Sequence, residues 1–211
     1  MGIKLVLIRH GATAGNTDHR YVGLTDEDIT ETGADDVRRL KVSTDKLLYR
    51  FTPSGDDEAK VGQPEIKIYV SPLKRALQTA ELLFPGESFE IVDDLKECDF
   101  GEFEYKSYEE LKDDNRYQGF IDTMGESGFP GGEKKADFIN RCCRGYEHIV
   151  RSQWGKNTAV IVIVAHGGTI MSIMDRYALP HRDYYDWQIR ASEGFVADMD
   201  PEGKITDIKR I

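Results

Sequence analysis

Two histidines in this chain each stand at the end of an apolar run and directly before glycine: Arg9-His10-Gly11 follows Ile3 to Ile8, and His166-Gly167-Gly168 follows Ala159 to Ala165. A neutral imidazole with one ring nitrogen held as N–H by a backbone carbonyl presents the other as a nucleophile, so a phosphoryl group can pass to it without a metal or cofactor. A dianionic phosphate needs several charged or polar donors, and Arg9, Arg75, His166, Asn16 and the N–H groups near Gly11 are of the right types. At about 1.5–3 kcal/mol per charged hydrogen bond, three of them reach millimolar to micromolar binding. In-line displacement sends the leaving oxygen away from His10, where a carboxyl has to protonate it. Glu97 is a candidate there. Asp99, Glu102 and Glu104 are its equals by residue type, and spacing does not choose among them. A carboxyl serving as acid near neutrality must hold its proton unusually well, which partial burial and the phosphate's own charge favour.

The elements that must position these groups follow from the same sequence. Ile3 to Ile8, broken only by Lys4, is too short and β-branched for a helix and fits a strand covered on both faces, as does Ala159 to Ala165. Ligands of open α/β sheets sit beyond the carboxyl ends of the strands, so two adjacent parallel strands would bring His10 and His166 together there. Ile66 to Val70 is a further strand feeding into Ser71-Pro72-Leu73-Lys74-Arg75-Ala76, where Ser71 is expected as N-cap and Pro72 as the first helical residue. That puts Arg75 in the first turn, at the positive end of a helix dipole. Phe89 to Val92 is a third short strand.

Elsewhere, Thr30-Glu31-Thr32-Gly33 opens a helix in which Val37, Leu40, Thr44, Leu47, Leu48 and Phe51 keep helical spacing. Residues 52–64 read as a surface loop. Tyr105 to Gly132 is polar, aromatic and glycine-punctuated, with a short helix expected from Tyr108 to Asp113, and reads as an insert folding over the strand ends. The helix after Glu133 carries Ile139, Cys142, Cys143, Tyr146, Ile149 and Val150 on one stripe, which makes both cysteines core residues. Ile170, Ile173, Met174 and Tyr177 mark another helix, stopped by Pro180. Gly194 to Asp198 and Lys204 to Ile208 are two last strands joined by a turn.

Composition narrows the function classes. With 28 Lys and Arg against 38 Asp and Glu, the 211-residue chain has a net charge of −10, which repels nucleic acid and anionic membrane alike. A small anionic partner must then be attracted by a local cluster of positive charge. The N-terminal apolar stretch is too short for a signal peptide or a membrane span, and the three cysteines show no zinc spacing, so a cytoplasmic protein with free thiols is expected. Neither a P-loop nor a dinucleotide fingerprint occurs.

Five stretches in order now carry a resemblance: Arg9 through Asn16, Ser71 through Ala80, Glu97 through Glu104, Pro130-Gly131-Gly132-Glu133, and His166-Gly167-Gly168. Together they resemble the histidine phosphatase superfamily, the phosphoglycerate mutase-like proteins. The resemblance implies an α/β three-layer sandwich with a mostly parallel central sheet, a single domain over 1–211 and a small cap insertion at 98–132. It implies His10 as phosphorylated nucleophile, Arg9, Arg75 and His166 as the charge pocket, Asn16 as a phosphate contact and Glu97 as proton donor. Gly11, Gly167 and Arg20 are expected to touch substrate, with His19 and Tyr21 beside Arg20 at the pocket mouth.

Within the superfamily the Glu97 to Glu104 stretch and the Pro-Gly-Gly-Glu turn look most like the α-ribazole phosphatases of cobalamin biosynthesis and their broad-specificity relatives. That makes the expected activity hydrolysis of a small phosphomonoester, with α-ribazole 5′-phosphate a candidate; the alternatives are a phosphoglycerate mutase-type isomerase and a non-catalytic phospho-ligand binding module. No cofactor and no metal are implied, and the oligomeric state is left open. Phe103 in place of the family's usual tryptophan, Tyr105 in place of a glycine, Lys134 in place of a frequent serine and Asp28-Ile29 in place of Pro-Leu bear on the substrate rather than the reaction.

Overall fold

A computed structural model describes residues 2–48, 65–153 and 155–211. In β1 (Ile3–Arg9), Leu5 and Leu7 face one side and Val6 and Ile8 the other, and all four are buried. A strand packed on both faces has no side free for water, which is why the run lacks polar alternation. After it come a one-turn helix α1 (Ala14–Thr17), α2 (Glu31–Leu48), β2 (Glu65–Val70), α3 (Lys74–Leu83) and β3 (Glu90–Ile91). Then follow α4 (Tyr108–Leu111), α5 (Asn115–Asp122), α6 (Lys135–Gln153), β4 (Thr158–Ala165), α7 (Gly167–Tyr177), β5 (Gly194–Met199) and β6 (Ile205–Arg210).

The six strands form one sheet in the order β3-β2-β4-β1-β5-β6. β3, β2, β4 and β1 run parallel, and β5 and β6 add two antiparallel pairings at one edge. Val6, Ile8, Val160, Val162 and Val164 pack with Val37 and Leu40 of α2 and Ala76, Ala80 and Leu83 of α3. On the opposite face Leu5, Leu7, Ile161 and Ile163 pack with Cys143, Tyr146 and Ile149 of α6 and Ile170, Ile173 and Met174 of α7. These are the three layers expected from the sequence, and Cys142 and Cys143 are buried as their spacing implied. Truncating a residue such as Leu7 to alanine should cost about 2–5 kcal/mol, because both layers hold its walls in place.

Some boundaries differ from expectation. The third strand shrinks to two residues, although Val92 N–H still donates to Val70 O at 2.9 Å. The helix at Tyr108 stops at Leu111, two residues short of Asp113, and α5 follows it where no helix was expected. Ser71 and Pro72 lie before α3, whose cap position is Leu73, so Ser71 is not the N-cap. Its hydroxyl has another partner, described below. Phe51, the 52–64 loop and the side chains of Leu47 and Leu48 lie outside the described residues.

Residues 98–132 gather an aromatic cluster of their own. Phe103, Leu111 and Tyr117 are buried, with Tyr21, Phe100, Phe120 and Phe129 packed against them. Phe103 therefore serves this cluster. Tyr105 adopts φ 60°, the left-handed backbone in which glycine is at ease and a side chain is strained. Its hydroxyl donates to Glu27 at 3.1 Å and the Arg20 guanidinium lies 5.4 Å over its ring, contacts that a glycine could not make.

Candidate active site

Strand register brings the two imidazoles together. Arg9 pairs with Ala165 across β1 and β4, so the next residues, His10 and His166, leave the sheet side by side with ring centroids 5.0 Å apart. β2 lies on the other flank of β4, with Val70 opposite Val164, and this delivers Ser71 to the same edge. His166 Nε2 is 2.7 Å from Ser71 Oγ.

His10 is 2% exposed, and its Nδ1 lies 2.7 Å from Gly11 O, so Nδ1 carries the proton and Nε2 keeps its lone pair. Arg75 Nε donates to that lone pair at 3.2 Å. Burial, then the Arg75 and Arg9 charges, hold the imidazole well below its ordinary range, outweighing the Gly11 carbonyl. His166 is held low in the same way, by burial first and by the Arg75 charge next. Both rings are neutral at pH 7.

Arg75, in the first turn of α3 as expected, is fully buried, and backbone carbonyls satisfy it: Nη1 donates to Thr25 O at 2.8 Å and Nη2 to Gly23 O at 2.7 Å. Arg9 Nη1 donates to Ile189 O at 2.7 Å. Arg9 Nε and His166 Nδ1 are buried without a hydrogen-bond partner among the described residues. An unmet buried donor costs about 1–3 kcal/mol, and an anion is the ligand that would satisfy both. Burial lowers the pKa of Arg9 and of Arg75, and the charge of Glu97 is the strongest influence opposing that on each.

Glu97 is 9% exposed; Cys98 N–H donates to its Oε1 at 3.0 Å and Gly168 N–H to its Oε2 at 3.2 Å. A Cβ on Gly168 would lie 2.4 Å from Glu97 Oε1, so glycine there lets the carboxyl approach the start of α7. The rival carboxylates are engaged otherwise. Asp99 accepts from Gly101 N–H at 2.9 Å, Glu102 pairs with Arg116 at 2.8 Å, and Glu104 accepts from the N–H groups of Gly23 and Thr25 at 2.9 Å each. Of the four, Glu97 lines the cavity.

That cavity has a volume of about 580 Å³, and Arg9, Asn16, Arg20, Tyr21, Glu97 and Gly167 are on its wall. His10, Arg75 and His166 are not on the wall but buried; the charge of Arg9 acts on both imidazoles and that of Glu97 on Arg75. Asn16 Oδ1 accepts from Thr13 N–H at 3.3 Å, closing a capping box on α1, and this turns the amide N–H₂ away from Thr13. The expectation for Gly11 is corrected: its N–H donates to Thr79 Oγ1 at 2.9 Å and is not free for a ligand. What Gly11 supplies is the carbonyl that fixes the His10 tautomer.

Sequence reasoning missed Ser71 as a partner of His166, which only the strand order makes visible. It also missed Tyr184, Tyr185 and Lys135, which line the cavity. No motif marks the two tyrosines. Tyr184 OH donates to Gly168 O at 3.3 Å, and burial keeps this phenol protonated.

The histidine phosphatase superfamily (branch 1) matches residues 5–52 and 57–207. The chain belongs to that superfamily. The enzyme class read from the sequence, a phosphatase, agrees with this membership. Relatives of this histidine phosphatase include a phosphoglycerate mutase-like protein 4 of Arabidopsis thaliana, 27% identical over 179 residues, covering 82% of this chain and 70% of that one. Phosphoserine phosphatase 1 of Hydrogenobacter thermophilus is 27% identical over 168 residues, covering 78% and 71%. Among solved structures, the α-ribazole phosphatase of Shigella flexneri shares the fold with a TM-score of 0.77 at 21% identity, over 97% of this chain and 94% of that one.

Proposed function

We propose that this histidine phosphatase hydrolyses a small phosphomonoester through a phosphohistidine on His10. The observation that carries the reading is the state of that ring: Nδ1 is tied to Gly11 O, and Nε2 is unprotonated against Arg75. Arg9, Arg75 and His166 surround the phosphoryl group, with the Asn16 amide and the Gly167 N–H, at the start of α7, as further donors and Arg20 at the mouth. The Nε2 lone pair forms the N–P bond while the ester P–O bond breaks and the leaving oxygen takes the proton of Glu97. Glu97, now a carboxylate, takes a proton from water, whose oxygen attacks phosphorus. The P–N bond breaks, its electron pair returns to Nε2, and inorganic phosphate leaves.

No helix among the described residues is long and apolar enough to cross a membrane. A cytoplasmic enzyme acting on a soluble small molecule is part of the proposal. α-Ribazole 5′-phosphate, and with it a place in cobalamin biosynthesis, is the candidate substrate suggested by the Glu97 to Glu104 and Pro130 to Glu133 motifs. Phosphoserine is suggested by the Hydrogenobacter relative. A phosphoglycerate mutase activity is the second reading, suggested by a relative named as phosphoglycerate mutase-like, and mutase turnover above phosphatase turnover would establish it.

The test is rapid mixing with a phosphomonoester, quenching, and location of the phosphoryl group by mass spectrometry. An acid-labile adduct on His10 is expected. Turnover that survives His10→Ala overturns the proposal.

A further inference from the structure

The cavity is lined by groups of two kinds: Arg9, Glu97 and Gly167, and the aromatic rings of Phe100, Phe120 and Phe129, whose centroids are 4.5 Å (Phe120–Phe129) and 4.8 Å (Phe100–Phe129) apart. Besides Arg9, the cations lining the cavity among the described residues are Arg20 and Lys135. Neither is free. Arg20 Nη1 donates to Glu110 Oε2 and to Tyr105 O, both at 2.7 Å. Lys135 Nζ pairs with Glu126 at 3.0 Å and donates to Met124 O at 3.1 Å, while the rings of Tyr184 and Tyr185 lie 5.4 and 5.3 Å beneath it.

A second anionic group on the substrate, such as the carboxylate of a phosphorylated hydroxy acid, would have to displace Glu126 or Glu110 to find a counter-charge. A flat uncharged ring needs no such exchange and meets aromatic walls. We propose that the site selects phosphomonoesters whose leaving group is uncharged and ring-bearing, with Glu126, by occupying Lys135, as the specificity-determining residue. This rests on the phosphatase reading above.

The experiment compares kcat/KM for 2-phenylethyl phosphate and 3-phosphoglycerate, both primary alkyl esters, by released inorganic phosphate. The ring ester should be preferred by about tenfold or more, the worth of one charged hydrogen bond. Glu126→Gln frees Lys135 and should shift the ratio towards 3-phosphoglycerate by about the same factor, and adding Lys135→Met should reverse that shift. Glu126 is mostly exposed, with 67% of its side-chain surface accessible, so the fold tolerates the change. A parent enzyme that prefers 3-phosphoglycerate, or a ratio that Glu126→Gln leaves within about twofold, overturns the inference while leaving the phosphatase reading intact. No phosphate from either ester together with no adduct on His10 overturns both.

Discussion

Replacing Ser71 with alanine tests how the second imidazole is held. Ser71 and His166 are both fully buried, and Ser71 Oγ lies 2.7 Å from His166 Nε2. For His166 to offer a proton to an anion from Nδ1, Nε2 has to be the acceptor, so the serine hydroxyl donates to it. In Ser71→Ala Nε2 loses its partner in a dry site where Nδ1 has none among the described residues, and the tautomer is no longer fixed. A buried group left unmet costs about 1–3 kcal/mol, which for a chain of this size lowers the thermal midpoint by about 2–12 °C. Phosphate affinity should fall as well, since a ring with its proton on Nε2 presents a lone pair to the anion.

The competing account is that Ser71 matters only as a cap, through the longer bond it accepts from Leu73 N–H at 3.4 Å. A double-mutant cycle separates the two. If Ser71 acts through His166, its removal should cost little once His166→Ala is in place, giving a coupling of about 1 kcal/mol or more by urea denaturation. Stabilities that add to within about 0.3 kcal/mol would refute the reasoning and return Ser71 to the role of a helix cap.

Glu97→Gln should lower kcat by about 10²–10⁴-fold for alkyl phosphates and much less for p-nitrophenyl phosphate, whose leaving group needs no proton; equal losses for both would remove Glu97 as the acid. Gly168→Ala should depress kcat and also lower the thermal midpoint, because the new methyl meets both the Glu97 carboxyl and, at 3.0 Å, the buried Phe138 ring; unchanged kcat would show that this carboxyl position is unimportant. Stability should be complete above about pH 6.5 and decline below it, because the unfolded chain binds protons on His10 and His166 there while the folded chain, whose two rings are held well below that value, does not. The slope reaches about 1.4 kcal/mol per pH unit for each histidine, and urea midpoints that stay flat from pH 7 to 5.5 would contradict it.

What was legible in the sequence follows from range. The apolar runs of β1 and β4 and the stripes of α6 and α7 are local patterns that burial enforces, so strand and helix identities could be read along the chain. The adjacency of His10 and His166 was legible too, because the two runs share one design and parallel neighbours are its simplest use. Ser71 was not. Ser-Pro satisfies the local rule for a helix start, but β2 beside β4 places the hydroxyl 2.7 Å from an imidazole 95 residues away, and that contact outcompetes the cap. Gly11 failed for a similar reason, since its N–H is taken by Thr79 of the neighbouring α3. Spacing left Glu97 equivalent to Asp99, Glu102 and Glu104, and it was the family resemblance that singled it out; of the four, Glu97 lines the cavity.

A chain of net charge −10 can hold a phosphate only if its site keeps positive charge that its own carboxylates do not cancel. The surface arginines show the ordinary arrangement: Arg116 is paired with Asp114 and Glu102, and Arg38 with Asp35. Arg75 and Arg9 differ, because the oxygens that accept from them are the carbonyls of Gly23, Thr25 and Ile189. A carbonyl satisfies an N–H without neutralising the cation, so both guanidiniums keep their positive charge, Arg9 on the cavity wall and Arg75 buried beside His10. Glu97 is the carboxylate whose charge acts most strongly on both. In the proposed cycle it hands a proton to the leaving oxygen. When the alcohol departs with its proton, the new carboxylate adds negative charge beside the phosphoryl group, which weakens the hold of the same two cations on it and readies the intermediate for attack by water. On this proposal, an acid placed among these arginines couples proton transfer to how tightly the pocket grips phosphate at each step.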